Sequence, residues 1–354
     1  MKASAFYLTL NLHRTMLMTF TQSNFALHFR IWRVFIILFL LAQTEARAQL
    51  IPELGSQRAG TAAAQFLKIG VGGRAVGMGE TFIAVANDAS ALYWNPAGMA
   101  QFEGNQLILS HVDWPVEIKH EFVGYVHQLS PTNKIGVSFT ALHMEDMEET
   151  TEFAPTGTGN FFTFRDIAIG LSFARKMTDK FSFGTTVKYI EETLAEVEMR
   201  SVMVDLGMYY WTGFRSTRFA VAITNFGQQL TPSGSLTRRD GTTVNKFQSF
   251  VPPTLFKLGF ATEVMENEQN KLTVAVELNH PNDNAENVHF GGEYWWRKRV
   301  ALRSGYKLNV DEESFTFGAG LSLPLSIAHA NLDYAYTDFG RLGNANRFSF
   351  VLSF

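Results

Sequence analysis

From about residue 105 onward, hydrophobic and polar positions alternate with a period of two. Phe348, Phe350, Leu352 and Phe354 alternate with Arg347, Ser349, Val351 and Ser353. Ile135, Val137, Phe139 and Ala141 alternate with Lys134, Gly136, Ser138 and Thr140, and Leu272, Val274, Val276 and Leu278 with Thr273, Ala275, Glu277 and Asn279. Successive side chains on a strand point to opposite faces, so these runs predict strands with one apolar face and one polar or small face. About fourteen such runs can be drawn, mostly 9 to 14 residues long. Crossing a bilayer as a strand takes roughly ten residues, whereas strands of soluble sandwiches average roughly half the length of these. The run from Ile118 to Leu129 alternates least well.

The connections point the same way. Short turns fall at Ser130–Asn133, Met177–Lys180, Gly213–Arg218, Met265–Asn270, Arg297–Arg299 and Leu323–Pro324, and the two long gaps at Glu145–Asn160 and Phe226–Val251. Numbering the strands puts the short turns on one side and both long gaps on the other, the asymmetry of an outer-membrane barrel. The pattern therefore predicts an all-β fold: a transmembrane antiparallel β-barrel of about 14 strands over residues 105–354, with Phe354 as a terminal insertion signal. Tyr209-Tyr210-Trp211 and Tyr294-Trp295-Trp296 are expected to form a membrane-interface girdle at the short-turn side.

Upstream, Val34 to Ala42 form an apolar run of nine between Arg30 and Arg33 and the small-x-small site Ala46-Arg47-Ala48. These are the parts of a cleaved signal peptide, too short for a bilayer-spanning helix, which takes roughly 20 residues. Residues 1–48 are thus expected to be a signal peptide with an N-terminal extension, with Met16 or Met18 as a candidate start. Export places the mature chain in the outer membrane of a Gram-negative cell.

Composition narrows the chemistry. Charged residues are 18% of the chain, the net charge is −3, and 32 Phe accompany 28 Gly. Without a basic face there is no expected nucleic-acid partner. Without cysteine, disulfides, thiolate metal sites and Cys nucleophiles are excluded. No metal-ligand spacing or nucleophile-elbow motif appears, so neither cofactor nor metal nor enzyme is expected. Gly70-x-Gly72-x-x-Ala75 matches a dinucleotide fingerprint only in form, because no strand–helix–strand unit carries it. Glu145, Asp146, Glu148, Glu149 and Glu152 crowd the first long loop and read chiefly as a solvated acidic surface, with a shared divalent cation or a basic partner as the alternative.

Residues 59–104 do not alternate, and residues 49–104 are expected to form a mostly helical or irregular hatch inside the barrel. Thr61 to Ile69 reads as a short amphipathic helix ended by Gly70. Three stretches within the hatch carry a resemblance: Arg74-Ala75-Val76-Gly77-Met78-Gly79, Asn87-Asp88-Ala89-Ser90-Ala91 and Asn95-Pro96-Ala97-Gly98-Met99. They resemble the opening of PorV/PorQ family proteins, which are related to the FadL fatty-acid transporters. The resemblance implies a fourteen-stranded barrel with an N-terminal hatch that serves type IX secretion, binding secreted proteins with a C-terminal sorting domain and engaging a large translocon barrel. A FadL-like channel for fatty acids or other hydrophobic molecules is the alternative it leaves open. A lipid A-modifying barrel is the third.

Within the hatch, Arg74, Gly77, Gly79, Asp88, Asn95, Pro96 and Gly98 are the candidate residues for seating or gating. Asn95-Pro96 favours a turn, and Gly98 would allow a positive φ. If the apolar parity faces lipid, Lys188, Asp205, Lys257, Glu277, Glu293, Arg303, Asp333 and Arg347 point into the lumen. Four are basic and four acidic, a balance suited to ion pairs with a plug, for which Arg74, Glu80 and Asp88 are candidate partners, rather than to an ion-selective pore.

Overall fold

The computed structural model of the chain describes residues 60–354 apart from 239–240 and 311–312. The expected signal peptide and the first part of the hatch, residues 1–59, lie outside the described residues. Fourteen long strands follow one another around a cylinder. They are β1 (Gln106–Asp113), β2 (Lys119–Gln128), β3 (Asn133–His143), β4 (Phe164–Lys176) and β5 (Phe181–Leu194). Next come β6 (Val197–Trp211), β7 (Arg218–Gly227), β8 (Leu255–Glu266), β9 (Lys271–Pro281) and β10 (Asn287–Trp296). The last four are β11 (Val300–Leu308), β12 (Phe315–Pro324), β13 (His329–Asp338) and β14 (Asn344–Ser353). Each pairs antiparallel with its neighbours in sequence, and β14 returns to β1 with Phe350 opposite Leu109. No edge is left open, which is what a β structure in lipid requires, since unpaired N–H and C=O groups have no water there.

The side-chain parity follows the sequence pattern. On β3, Phe139 is 42% exposed on the outside, while Lys134 on the inside is 4% exposed. β2 was the weakest run, yet its burial alternates cleanly, with His120, Phe122, Gly124 and Val126 inside. Its pattern is obscured because large apolar residues face inward: Phe122 meets the ring of Tyr93 at 6.3 Å. A barrel that holds a plug has a second apolar surface to cover, and period-two reasoning about hydrophobicity sees only the lipid-facing one.

The six short turns lie at one end and the two long connections, 144–163 and 228–254, at the other. The last short turn occupies 325–328, since Leu323 and Pro324 still belong to β12. A two-residue turn, Ala195-Glu196, also sits at the long-loop end, with Ala195 at φ 52. The first long loop carries a small hairpin pairing Met147–Glu148 with Phe161–Phe162. The second folds back: Leu230 bridges Phe250, and Val251 pairs in parallel with Ala62.

The segment from Gly60 to Gly104 fills the barrel with short helical turns at Gln65–Lys68, Gly73–Gly77, Ala91–Trp94 and Pro96–Gln101. Thr61 to Ile69 does not form one amphipathic helix. Ala64 adopts a left-handed backbone (φ 54), and its N–H donates to both carboxylate oxygens of Glu192 at 2.9 Å. The largest apolar cluster lies inside the cylinder, where Phe82, Ile83, Leu92, Trp94 and Met99 pack on Ile108, Phe122 and Tyr209.

The aromatic triplets do not form whole girdles. Tyr209 points inward and donates its OH to Ala84 O at 2.9 Å, Trp211 donates to Gln101, and Trp295 lies inside under Arg303. Alternation divides each triplet, leaving residues such as Trp296 outside.

Candidate functional site: the closed lumen

The hatch lies on the wall backbone to backbone. A Cβ built on Gly73 would stand 2.8 Å from the Asp333 carbonyl, one on Gly77 2.9 Å from Gly318 Cα, and one on Gly79 3.0 Å from Gly305 Cα. From the wall side, a Cβ on Gly305 would stand 2.0 Å from Gly79 N, and one on Gly291 2.4 Å from Met78 O. Glycines on β10, β11 and β12 thus form a trough for residues 77–79, and Gly79 also holds a positive φ of 69 that favours glycine. Hydroxyls fix the same turn from β1 and β14: Ser110 Oγ accepts from Gly72 N at 3.2 Å and Ser349 Oγ from Gly73 N at 2.9 Å.

Below this contact runs a chain of charges. Arg74 donates Nε and Nη2 to the two oxygens of Glu293 at 2.8 and 3.0 Å, a bidentate pair. Its Nη1 reaches Asp88 at 2.7 Å. Glu293 also accepts from Arg303 Nε at 2.7 Å, and Arg303 Nη1 donates to Asp333 at 2.7 Å. Asp88 caps the next turn by accepting from Ser90 N at 2.9 Å and from the Ser90 hydroxyl. Two hatch residues and three wall residues therefore share one buried network. Each charge in it faces an opposite one, as burial demands.

Asn95 holds the opposite wall. It is fully buried, and its Nδ2 donates to Ile83 O at 3.0 Å and to Met208 O on β6 at 3.2 Å, while its Oδ1 accepts from Ala97 N at 3.1 Å. Pro96 begins the turn that Asn95 caps. Gly98 is needed for closeness and not for a positive φ, which it lacks: a Cβ there would stand 2.6 Å from Ala86 O. Asn95→Ala strands these partners, each at about 1–3 kcal/mol. The expected outcome is faster tryptic cleavage in the hatch with unchanged barrel mobility on unheated gels. Cleavage at the wild-type rate would refute this seating role.

Two further ion pairs line the lumen, while Arg347 is held by a hydroxyl and a ring. Lys188 meets Asp205 at 2.8 Å, where a register shift at Asp205 lets it accept Asn225 N at 2.7 Å. Glu277 lies 3.3 Å from Lys257 and accepts the hatch amides of Phe82 and Ile83 at 2.9 and 3.1 Å. Arg347 donates to Thr337 at 2.8 Å and lies 5.3 Å over the Trp114 ring. Lys307, not among the lumen charges expected above, lies 3.1 Å from Glu80 and 2.7 Å from Glu313. Its parity on β11 matches that of Arg303, so the same rule would have found it. Arg218, also outside that set, pairs with Glu263 at 2.7 Å and donates to Ala84 O at 2.8 Å.

Burial pushes the Glu80 carboxyl up, but Lys307 first, then His289, Arg347 and Lys257, outweigh it and hold it at about 2. Burial pushes Glu313, which shares Lys307, upward. A carboxyl whose folded value lies below its ordinary 4.5 adds stability above that value and loses it as pH falls through about 2. Glu80→Gln is therefore expected to lower stability at neutral pH and to flatten its loss between these values, read as melting temperature against pH.

The acidic residues at the start of the first long loop make separate contacts. Glu145 lies 3.9 Å from Lys119, Glu148 accepts from Gly159 N, and Glu149 accepts from Thr158 and Asn160. Among the described residues, no three His, Asp or Glu come together to hold a metal. Phe354 exchanges backbone hydrogen bonds with Asn105 at 2.8 and 3.0 Å, and its ring is exposed.

Fold and lumen together define an outer-membrane-type β-barrel closed by its own N-terminal segment. The family model described as type IX secretion system protein PorV matches residues 53–282, and the chain belongs to that family. No curated protein matches the sequence. Among solved structures it resembles the toluene transporter TbuX of Ralstonia pickettii, at TM-score 0.56 and 14% identity over 80% of this chain and 97% of that one. It also resembles the toluene transporter TodX of Pseudomonas putida, at TM-score 0.53 and 14% identity over 77% and 96%. The monoaromatic hydrocarbon channel CymD gives TM-score 0.54 and 14% identity over 81% and 98%. At these identities the likeness is one of fold.

Proposed function

We propose that this barrel is an accessory of type IX protein secretion that binds exported cargo through its C-terminal sorting domain, or engages the translocon, at the long-loop rim. Membership in the PorV family is the observation that carries this reading. The long loops offer the surface: 144–163 presents exposed Phe153 and Phe161 beside its carboxylates, and long loops of such barrels face outward. The hatch then acts as a fixed plug and the lumen carries no protein. The proposal contains no catalytic step. Deleting the gene should deplete the secreted and surface proteome of proteins that share a C-terminal domain; an unchanged proteome would overturn it.

The fold likeness to hydrocarbon channels suggests a second reading, passage of hydrophobic molecules. It is less well supported, because the lumen is lined by paired charges and amides. Purified protein in planar bilayers is expected to give no large steady current, since the hatch network spans the bore. Sustained channels would count against a fixed plug.

A further inference from the structure

The short-turn end carries a run of charge that neither the hatch nor the lumen uses. Between β10 and β11 the chain reads Trp296-Arg297-Lys298-Arg299-Val300. All three cations are exposed. Glu266 and Glu268 lie in the adjoining β8–β9 turn, yet among the described residues no carboxylate pairs with Arg297, Lys298 or Arg299.

The backbone of this turn is unfavourable for the residues it carries. Arg299 N donates to Trp296 O at 3.0 Å, and Arg297 and Lys298 both take left-handed backbones, with φ of 51 and 52. A tight turn with positive φ at both central positions favours Asn-Gly. Among the described residues this is the only consecutive pair of non-glycine residues with positive φ. Neighbouring elements hold it: Arg297 N donates to Asn270 Oδ1 at 3.2 Å, and Arg299 O accepts from Ser322 N on β12 at 2.7 Å. The Arg297 guanidinium lies 5.0 Å over the exposed ring of Trp296, a cation–π contact.

Beside the turn is a hollow of about 630 Å³ lined by Gln269, Trp296, Arg297, Arg299 and Val300. An outward indole at a strand end marks the membrane interface. Leu325 and Ile327, exposed on the neighbouring β12–β13 turn, put further apolar surface at the same end. The hollow therefore opens at the level of lipid headgroups, with cations at its side and the exposed apolar side chains of Leu302 and Leu321 on the wall beyond it. A guanidinium fork matches the oxygens of a phosphate.

We propose that this turn binds the phosphodiester headgroup of an anionic phospholipid in the periplasmic leaflet. Arg297, Lys298 and Arg299 supply the cationic contacts, Gln269 a neutral donor, and the acyl chains lie along Leu302 and Leu321. Basic clusters beside a membrane attract anionic lipid in this way. A zwitterionic lipid offers the same phosphate but brings its own cation, which this turn repels. The site stands apart from the secretion reading, and either can fail without the other.

The test is native mass spectrometry of the purified, detergent-solubilised protein titrated with dioleoyl phosphatidylglycerol, dioleoyl phosphatidylcholine or glycerol 3-phosphate. At least one phosphatidylglycerol is expected to bind tenfold or more tighter than phosphatidylcholine, and to weaken as ammonium acetate is raised. Glycerol 3-phosphate, the headgroup phosphate without chains, is expected to leave no adduct. The combined variant Arg297→Gln, Lys298→Gln, Arg299→Gln should weaken that phosphatidylglycerol tenfold or more, whereas Lys176→Gln with Lys180→Gln in another short turn should not. Unheated gel mobility confirms a folded barrel; where the variant does not fold, the wild-type comparison of the two lipids decides. Equal affinity for the two lipids, binding of glycerol 3-phosphate as tight as that of phosphatidylglycerol, unchanged affinity in the folded triple variant, or an equal loss in the Lys176 and Lys180 variant would overturn the proposal.

Discussion

Gly305→Val is expected to unseat the hatch. A Cβ at that position falls 2.0 Å from Gly79 N and 2.3 Å from Gly79 Cα. Overpacking against side chains costs about 1–3 kcal/mol because rotamers can shift. Here the neighbour is backbone, wedged between β10, β11 and β12, and has no rotamer to change, so the cost exceeds that range. The cylinder itself is held by strand ladders that this side chain does not touch. The variant should therefore still migrate as a folded barrel, become cleavable by trypsin after Arg74, and pass ions in planar bilayers. Gly292→Val is the control, because a Cβ there finds only Ser304 O at 4.0 Å. A Gly305→Val protein as protease-resistant and non-conducting as wild type would refute backbone seating.

Glu293→Ala should be the most destabilising change among the lumen charges. This carboxylate accepts from both Arg74 and Arg303, and its side chain is 1% exposed. Removing it leaves the buried Arg303 guanidinium and the half-buried Arg74 guanidinium with only Asp333 and Asp88. Breaking a buried pair by deleting one partner costs about 3–5 kcal/mol. Asp333→Asn touches only Arg303 and should cost less. Urea midpoints followed by tryptophan fluorescence in detergent would rank them; a Glu293→Ala midpoint at or above that of Asp333→Asn would show that the network is not organised around Glu293.

Much of this architecture was legible in the chain. Leu272, Val274, Val276 and Leu278 set the outward face of β9 by parity, and the same parity turned Glu277 and Asn279 inward. The lumen charges could be named for the same reason: lipid tolerates no charge on the other face. Parity misleads where the inside is also apolar. On β2, Phe122 and Val126 face the plug, and in Tyr209-Tyr210-Trp211 a run of one residue type is cut by the pleat. The hatch was harder still. Its helical turns are four to six residues long, too short for a 3.6 period to emerge. Ala64, expected within a helix, takes a left-handed backbone because Glu192, 128 positions away, accepts its N–H.

By itself, then, the sequence determined the barrel, its rough strand count and its two unlike ends, and its parity marked where inward charges can lie. These follow from a local rule, two residues per repeat against a solvent that accepts only apolar side chains. Tertiary structure alone decided which charges meet, and that Gly79 rests on Gly305 and Asn95 on β6. Those are contacts between residues tens to hundreds of positions apart, fixed by strand register and barrel closure, and no local pattern encodes them.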